Sequence, residues 1–206
     1  MHNSKIIFES VRGLEAVPID DVFLRDRKVF LVGEVNDESC NGLIKQLVYM
    51  ESEDNTKPII LFIDSPGGSV SDGLAVYDVI RLMKSPVTCV VTGIAASMGS
   101  IILLACDKDK RFMLPSSRIM IHDCSFGNRQ IGGLKPFEIE EELNQLKHTN
   151  ERLVSIIAER TGKTVEEVSE VTKYDSYFSA EEAIKFGLAS AVIDTSNFGT
   201  IVGGKN

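Results

Sequence analysis

Twenty-two consecutive residues, Ser85 to Cys106, carry no charge, and a run of that length can fold in only a few ways. It is about long enough to cross a bilayer as one helix. Its internal punctuation argues against that. Pro86 opens a β-branched stretch, Val87-Thr-Cys-Val-Val-Thr92, and Gly93 closes it; Ala95 to Ala105 then has helix-forming composition with Ser97 and Ser100 inside. No belt of Trp and Tyr flanks the run. The expectation is a buried strand, a turn and a buried helix.

The flanking segments extend the pattern. Residues 28–33 and 58–64 are short, continuously apolar and bounded by turn residues, as strands buried on both faces are. Between them Leu43, Ile44, Leu47, Val48 and Met50 recur at helical spacing; a second helix, marked by Leu74, Ala75, Val79, Ile80 and Met83, follows a Ser65-Pro-Gly-Gly-Ser69 loop. The order β-α-β-α-β-α predicts an α/β fold with a mainly parallel sheet, right-handed crossovers and helices on its faces. Shorter strands are expected at 111–113 and 117–122. From Pro136 to Arg160, Ile139, Leu143, Leu146, Asn150, Leu153 and Ile157 form one long stripe. Such a helix extends roughly 38 Å at ~1.5 Å per residue, more than a small sheet covers. Part of the stripe is therefore expected to meet another chain, the alternative being a core helix of the same subunit. Capping boxes at Thr164–Glu167 and Ser179–Glu182 start two more helices, with Gly187 stopping the second.

Length and charge narrow the function. A chain of 206 residues, 43% apolar and 25% charged, fits one soluble domain, and its net charge of −8 repels phosphate backbones and anionic lipid. No nucleic-acid or membrane partner is expected. The four cysteines form no C-x-x-C pair, and the N-terminus lacks an apolar run with a cleavage site, so a reducing, cytoplasmic setting is expected. No nucleotide-binding glycine motif occurs.

Ser97, in Ala95-Ala-Ser-Met-Gly99, lies at a strand-to-helix turn with small residues two before and two after. That resembles a nucleophile elbow, although a helix cap is the plainer role for a serine there. Of three histidines, His122 ends the apolar strand Arg118-Ile-Met-Ile-His and is placed to take a proton, whereas His2 is in a tail and His148 on a polar helix face. A third group must orient that imidazole. Asp175, in the irregular link before Ser-Tyr-Phe-Ser179, is preferred, with Asp123 and Asp64 as competitors that spacing alone does not exclude. Gly67 and Gly68 would let backbone N–H groups approach a developing oxyanion, with the Met98 N–H as a second donor. The order Ser, His, Asp differs from those of the α/β-hydrolases, chymotrypsin and subtilisin.

Five motifs then stand together: Ile63-Asp-Ser-Pro-Gly-Gly-Ser69, Gly93-Ile-Ala-Ala-Ser-Met-Gly99, Arg111-Phe-Met-Leu-Pro115, Ile119-Met-Ile-His122 and Phe178-Ser-Ala-Glu-Glu-Ala183. In order and spacing they resemble the ClpP family, the proteolytic subunit of the Clp protease, over about Arg25 to Asp194. The resemblance implies a ClpP/crotonase-like fold of repeated β-α-β units with a protruding handle helix at about 136–160. Residues 1–24 would form a poorly matched axial segment, and 195–206 a flexible tail. By the same resemblance Ser97 is the nucleophile, His122 the base and Asp175 the acid, with Gly68 and Met98 forming the oxyanion hole and no metal involved. Phe62, Leu82, Phe112 and Leu114 match an apolar groove that receives loops of an AAA+ unfoldase such as ClpX, ClpC or ClpA. The subunits would form heptameric rings stacked as a tetradecamer that degrades unfolded polypeptides. By the same resemblance no cofactor would be bound, and ATP would be used by the unfoldase.

The sequence departs from the family pattern at Thr92, Ile94, Tyr174, the segment Asp123–Gly133 and the 53-residue interval from His122 to Asp175 (175 − 122). The altered segment Asp123–Gly133, which in the family holds substrate and reaches the opposite ring, motivates a second reading, a catalytically slack ring subunit that works beside a paralogous ClpP. A crotonase-like acyl-CoA enzyme is a third.

Overall fold

The uncharged run becomes a strand and a helix, and the rest of the protein is arranged around them. In the computed structural model, which describes residues 4–10, 13–127 and 132–203, the chain runs β1 (Lys5–Ser10), β2 (Gly13–Pro18), α1 (Ile19–Arg25), β3 (Lys28–Val35), α2 (Asp37–Glu53), β4 (Ile59–Gly68), α3 (Val70–Leu82), β5 (Val87–Ala96) and α4 (Met98–Ala105). It continues through β6 (Arg111–Met113), β7 (Arg118–Ile121), α5 (Pro136–Thr161), α6 (Val165–Thr172), β8 (Ser176–Phe178), α7 (Ala180–Phe186), β9 (Ala191–Val192) and α8 (Phe198–Val202). Every residue of α4 is buried. Among the described residues no helix is long and apolar enough to cross a membrane.

The sheet is parallel in the order β3-β4-β5-β6-β9. β7 lies parallel to the last residues of β5, and β8 pairs antiparallel with β7. Two strands run further than the sequence suggests. β5 does not stop at Gly93: Asp64 Oδ1 accepts the Ile94 N–H at 3.0 Å, and a Cβ on Gly93 would collide with that carboxylate. The strand therefore continues to Ala96 while changing partner from β6 to β7. β4 likewise continues through Ser65-Pro-Gly-Gly68, because Gly67 and Gly68 pair with Glu34 and Val35 beyond a register shift. The expected loop is the end of a strand.

One face of the sheet carries the main core, where Leu31, Leu61, Ile63, Val91 and Met113 meet α2, α3, α4 and α5. The other carries a small cluster of Ile60, Phe62, Val90 and Ile193, with Phe112, Leu114, Ile201 and Val202 packed against it. Burial on both faces holds for β4 but not for β3. Phe30 stacks on Phe62 yet stays partly open, and Val32 is 65% exposed, because α1 reaches that side of β3 only at Phe30, through Phe23. Within the tail expected to be loose over 195–206, Phe198–Val202 form α8, whose Ile201 and Val202 pack on the second cluster, and 204–206 lie outside the described residues. The N-terminal segment, where no strand was expected, forms the antiparallel pair β1–β2, and α1 sets Phe23 edge-on to Phe30.

Helix α5 is divided along its length. Leu153, Val154, Ile156, Ile157 and Ala158 are buried, whereas Phe137 is 74% exposed and Ile139 and Leu143 also face outward. The capping boxes at Thr164 and Ser179 form, and Gly187 ends α7 in the left-handed conformation, as the sequence implies.

No basic residue lies in the last turn of α4, so its C-terminal carbonyls need partners from elsewhere. Arg111, fully buried, donates from Nε to Cys106 O at 2.9 Å and from Nη1 to Arg160 O at 2.9 Å and Gly187 O at 3.4 Å. Arg160 adds bonds to Leu104 O and Cys106 O. Burial, with Arg160 nearby, draws the Arg111 guanidinium down to about 10, still cationic at neutral pH. Arg111→Met is expected to take the side-chain donor from Arg160 O and Gly187 O, while Cys106 O keeps its bond from Arg160, and to cost about 3 kcal/mol, read as a lower urea midpoint; an unchanged midpoint would remove Arg111 from this role.

Candidate active site

Ser97 occupies the single residue between β5 and α4, with φ 51° and ψ −121°. A serine at positive φ costs ~1–3 kcal/mol and persists only where its surroundings impose it. Here they do. The Ser97 N–H is bonded to Met120 O at 2.9 Å, while its carbonyl accepts the Ser100 and Ile101 N–H groups and the Ser100 hydroxyl. Against its other side lies Gly67, where a Cβ would stand 2.6 Å from the Ser97 Cβ and 2.9 Å from the Met98 N. Ser65 Oγ, buried, accepts the Gly67 N–H at 3.1 Å and holds that glycine in place. The side chain of Ser97 makes no capping bond to α4, so its hydroxyl is left for other partners.

That partner is His122, directly after β7. Its Nε2 lies 2.9 Å from Ser97 Oγ and its Nδ1 2.9 Å from Asp175 Oδ1. Strand register explains the convergence across 53 residues: Ile121 pairs with Ser176 in the antiparallel β7–β8 ladder, and one more step sets His122 opposite Asp175. Asp175 as a carboxylate only accepts, so the tautomer that satisfies both neighbours carries its proton on Nδ1 and accepts the Ser97 hydroxyl at Nε2. The histidine side chain is 27% exposed and the aspartate 63%, so access to the pair is open on one side.

The competing carboxylates are placed elsewhere. Asp64 is engaged by the Ile94 N–H, as above. Asp123 gives its backbone N–H to Thr172 O, and one of its carboxylate oxygens is buried without a hydrogen-bond partner. Neither reaches the imidazole as Asp175 does.

Met98 heads α4, where N–H groups have no acceptor within the helix. Gly68 closes β4 with φ 147°, packed so tightly that a Cβ would collide with Val35 O. Both line a cleft of about 450 Å³ together with Ser97 and His122. Its floor is apolar, from Val70, Ile101, Ile121, Leu153 and Ile157. The cleft also holds Cys124, whose thiol burial pushes up, with Asp123 adding to the effect. A thiol so shifted is a poor nucleophile, and of the serines lining the cleft Ser97 is the one whose hydroxyl meets the His122 ring. Among the described residues no cluster of His, Cys, Asp and Glu could hold a metal ion.

Of the four groove residues, Phe62, Phe112 and Leu114 gather on the second cluster. Leu82 does not join them: it ends α3, whose buried residues pack into the main core, and is 84% exposed. Residues 123–127 form no strand, and 128–131 lie outside the described residues. Two contributors escaped sequence reasoning. Asn150 accepts the Cys124 N–H at 3.0 Å and fixes the segment leaving His122; its signal was a polar residue within an apolar stripe. Glu34 lines the cleft; an acidic residue beside Gly33 at the end of an apolar strand was the available hint.

A family model described as Clp protease matches residues 12–196, a span that contains the whole cleft and begins further toward the N-terminus than the five motifs do.

The packing around Ser97 makes opposite predictions for two glycines. Gly67→Ala is expected to destabilise the fold by about 2–3 kcal/mol, since backbone and Ser97 would both have to move. Gly42→Ala, within α2 and facing open space, is expected to add about 0.5–1 kcal/mol. Denaturation midpoints of the two variants check this; equal shifts would contradict it.

Proposed function

The chain belongs to the Clp protease family, and we propose that it is a serine endopeptidase of the ClpP type. The observation that carries this reading is the line from Ser97 Oγ through His122 to Asp175, with 2.9 Å at each junction. In the proposed reaction His122 Nε2 takes the hydroxyl proton as Ser97 Oγ attacks a peptide carbonyl. Asp175 holds the ring and balances the imidazolium that forms. The carbonyl oxygen becomes an anion against the N–H groups of Gly68 and Met98, where one such donor can be worth ~3 kcal/mol. Collapse of this intermediate breaks the C–N bond as His122 returns the proton to the leaving amine. Water, deprotonated by the same ring, then releases the acyl group from Ser97.

The wider setting follows the family. The open half of α5 supports contact with further copies of the chain, in heptameric rings stacked around a chamber. The partly open Phe112 and Leu114, beside Phe62, support docking of a Clp-type unfoldase, which would spend ATP to feed in unfolded polypeptides. Cytoplasmic placement belongs to the same reading. One observation favours a second version: residues 123–127 lack the strand that would hold substrate and reach an opposing ring. On that version the chain works beside a paralogous ClpP. An acyl-CoA enzyme is disfavoured, since no lysine or arginine lines the cleft among the described residues.

Ser97→Ala is expected to abolish cleavage of a short fluorogenic peptide without changing the solution mass of the assembly. Asp175→Asn is expected to lower kcat by about 10³–10⁴-fold, by misplacing the ring proton. Retained cleavage in Ser97→Ala would move the nucleophile elsewhere. If the purified chain is inactive alone and gains activity only on mixing with a paralogue, the second version is correct.

A further inference from the structure

The cleft beside Ser97 contains one carboxylate that the proposed reaction does not use. Glu34 lies near the end of β3, after Gly33, whose φ of 86° coincides with the register shift between Val32 and Glu34. Irregular pairing of this kind re-aims side chains at the ends of strands. Here it sets the Glu34 side chain against Gly68: a Cβ on that glycine would stand 3.0 Å from Glu34 Cγ. Glu34 thereby lines the same cleft as Ser97, Met98 and His122. Its carboxylate makes no hydrogen bond or ion pair among the described residues, although Glu34 O accepts the Ser39 hydroxyl. Nor does any lysine or arginine among the described residues line the cleft.

Glu34 is exposed, and a negative charge that lines the cleft receiving an oxyanion opposes the charge developing there. Its cost is largest in the transition state, where that charge is greatest. A cation carried by the substrate next to the scissile bond would offset the cost and pair with the carboxylate. We infer that Glu34 is a specificity determinant, favouring cleavage beside a lysine or arginine side chain over a neutral one and disfavouring acidic side chains. This rests on the serine peptidase reading and adds to it a preference that the apolar floor of the cleft does not supply.

Irreversible peptidyl phosphonates test it on the full-length chain, because modification of Ser97 is scored by mass. Two matched pairs are used, lysine against norleucine, placed at the attacked residue in one pair and one residue before it in the other. In at least one pair the lysine probe is expected to react about three- to fivefold faster at low salt, as befits an exposed ion pair. That advantage should fade in ~0.5 M salt, where screening shortens to a few ångströms. Glu34→Gln should bring the ratio to one at both salts, and Glu34→Lys should invert it. A norleucine probe that modifies Ser97 with no lysine advantage, or an advantage that survives Glu34→Gln, overturns the inference and leaves the peptidase reading standing. Failure of every probe to modify Ser97, both in the chain alone and after mixing with a paralogous ClpP, overturns both.

Discussion

The backbone of Ser97 is held where a serine does not rest by choice, and the site depends on that constraint. Its N–H is fixed to Met120 O, its carbonyl is taken up by the first turn of α4, and Gly67 leaves no space for relaxation on the remaining side. The energy to hold it comes from burial. Helix α4 is apolar and buried throughout, and its far end is tied down by Arg111 and Arg160. A helix so anchored cannot slide to relieve its first residue. The same strain that costs stability turns the hydroxyl away from its capping role and toward His122.

The site is assembled from sheet register as much as from sequence motifs. β5 leaves β6 and takes β7 as its neighbour, which brings Met120 against Ser97; β7 then takes β8, which brings Asp175 against His122. Each handover is local, yet together they join residues far apart in the chain. The imidazole is half-sheltered while the carboxylate faces solvent, so its hold on the ring rests on geometry more than on a strong field.

Much of this was legible because local chemistry determined it. The charge-free run had to be buried, and Pro86 and Gly93 divided it into strand and helix. Ser97 and His122 stood at the ends of apolar elements, and Thr164 and Ser179 announced the helices they cap. What was missed depended on partners distant in sequence. Gly93 and Pro66 look like strand ends until Asp64 and β3 provide neighbours for the backbone beyond them. Asp64, Asp123 and Asp175 could not be ranked by spacing, because only the β7–β8 register chooses among them. Leu82 stands 84% exposed at the end of α3, so packing within one chain gives it no place beside Phe62, Phe112 and Leu114. The β1–β2 pair carries apolar residues that remain largely exposed, so no burial pattern marked it.

The most direct test of the account is the rate and site of covalent modification by a small fluorophosphonate, compared between the natural chain and a His122→Ala variant. The account predicts one adduct per chain, on Ser97, with the rate falling by orders of magnitude once the imidazole is gone. An adduct on another residue, or an undiminished rate at Ser97 without His122, would contradict it.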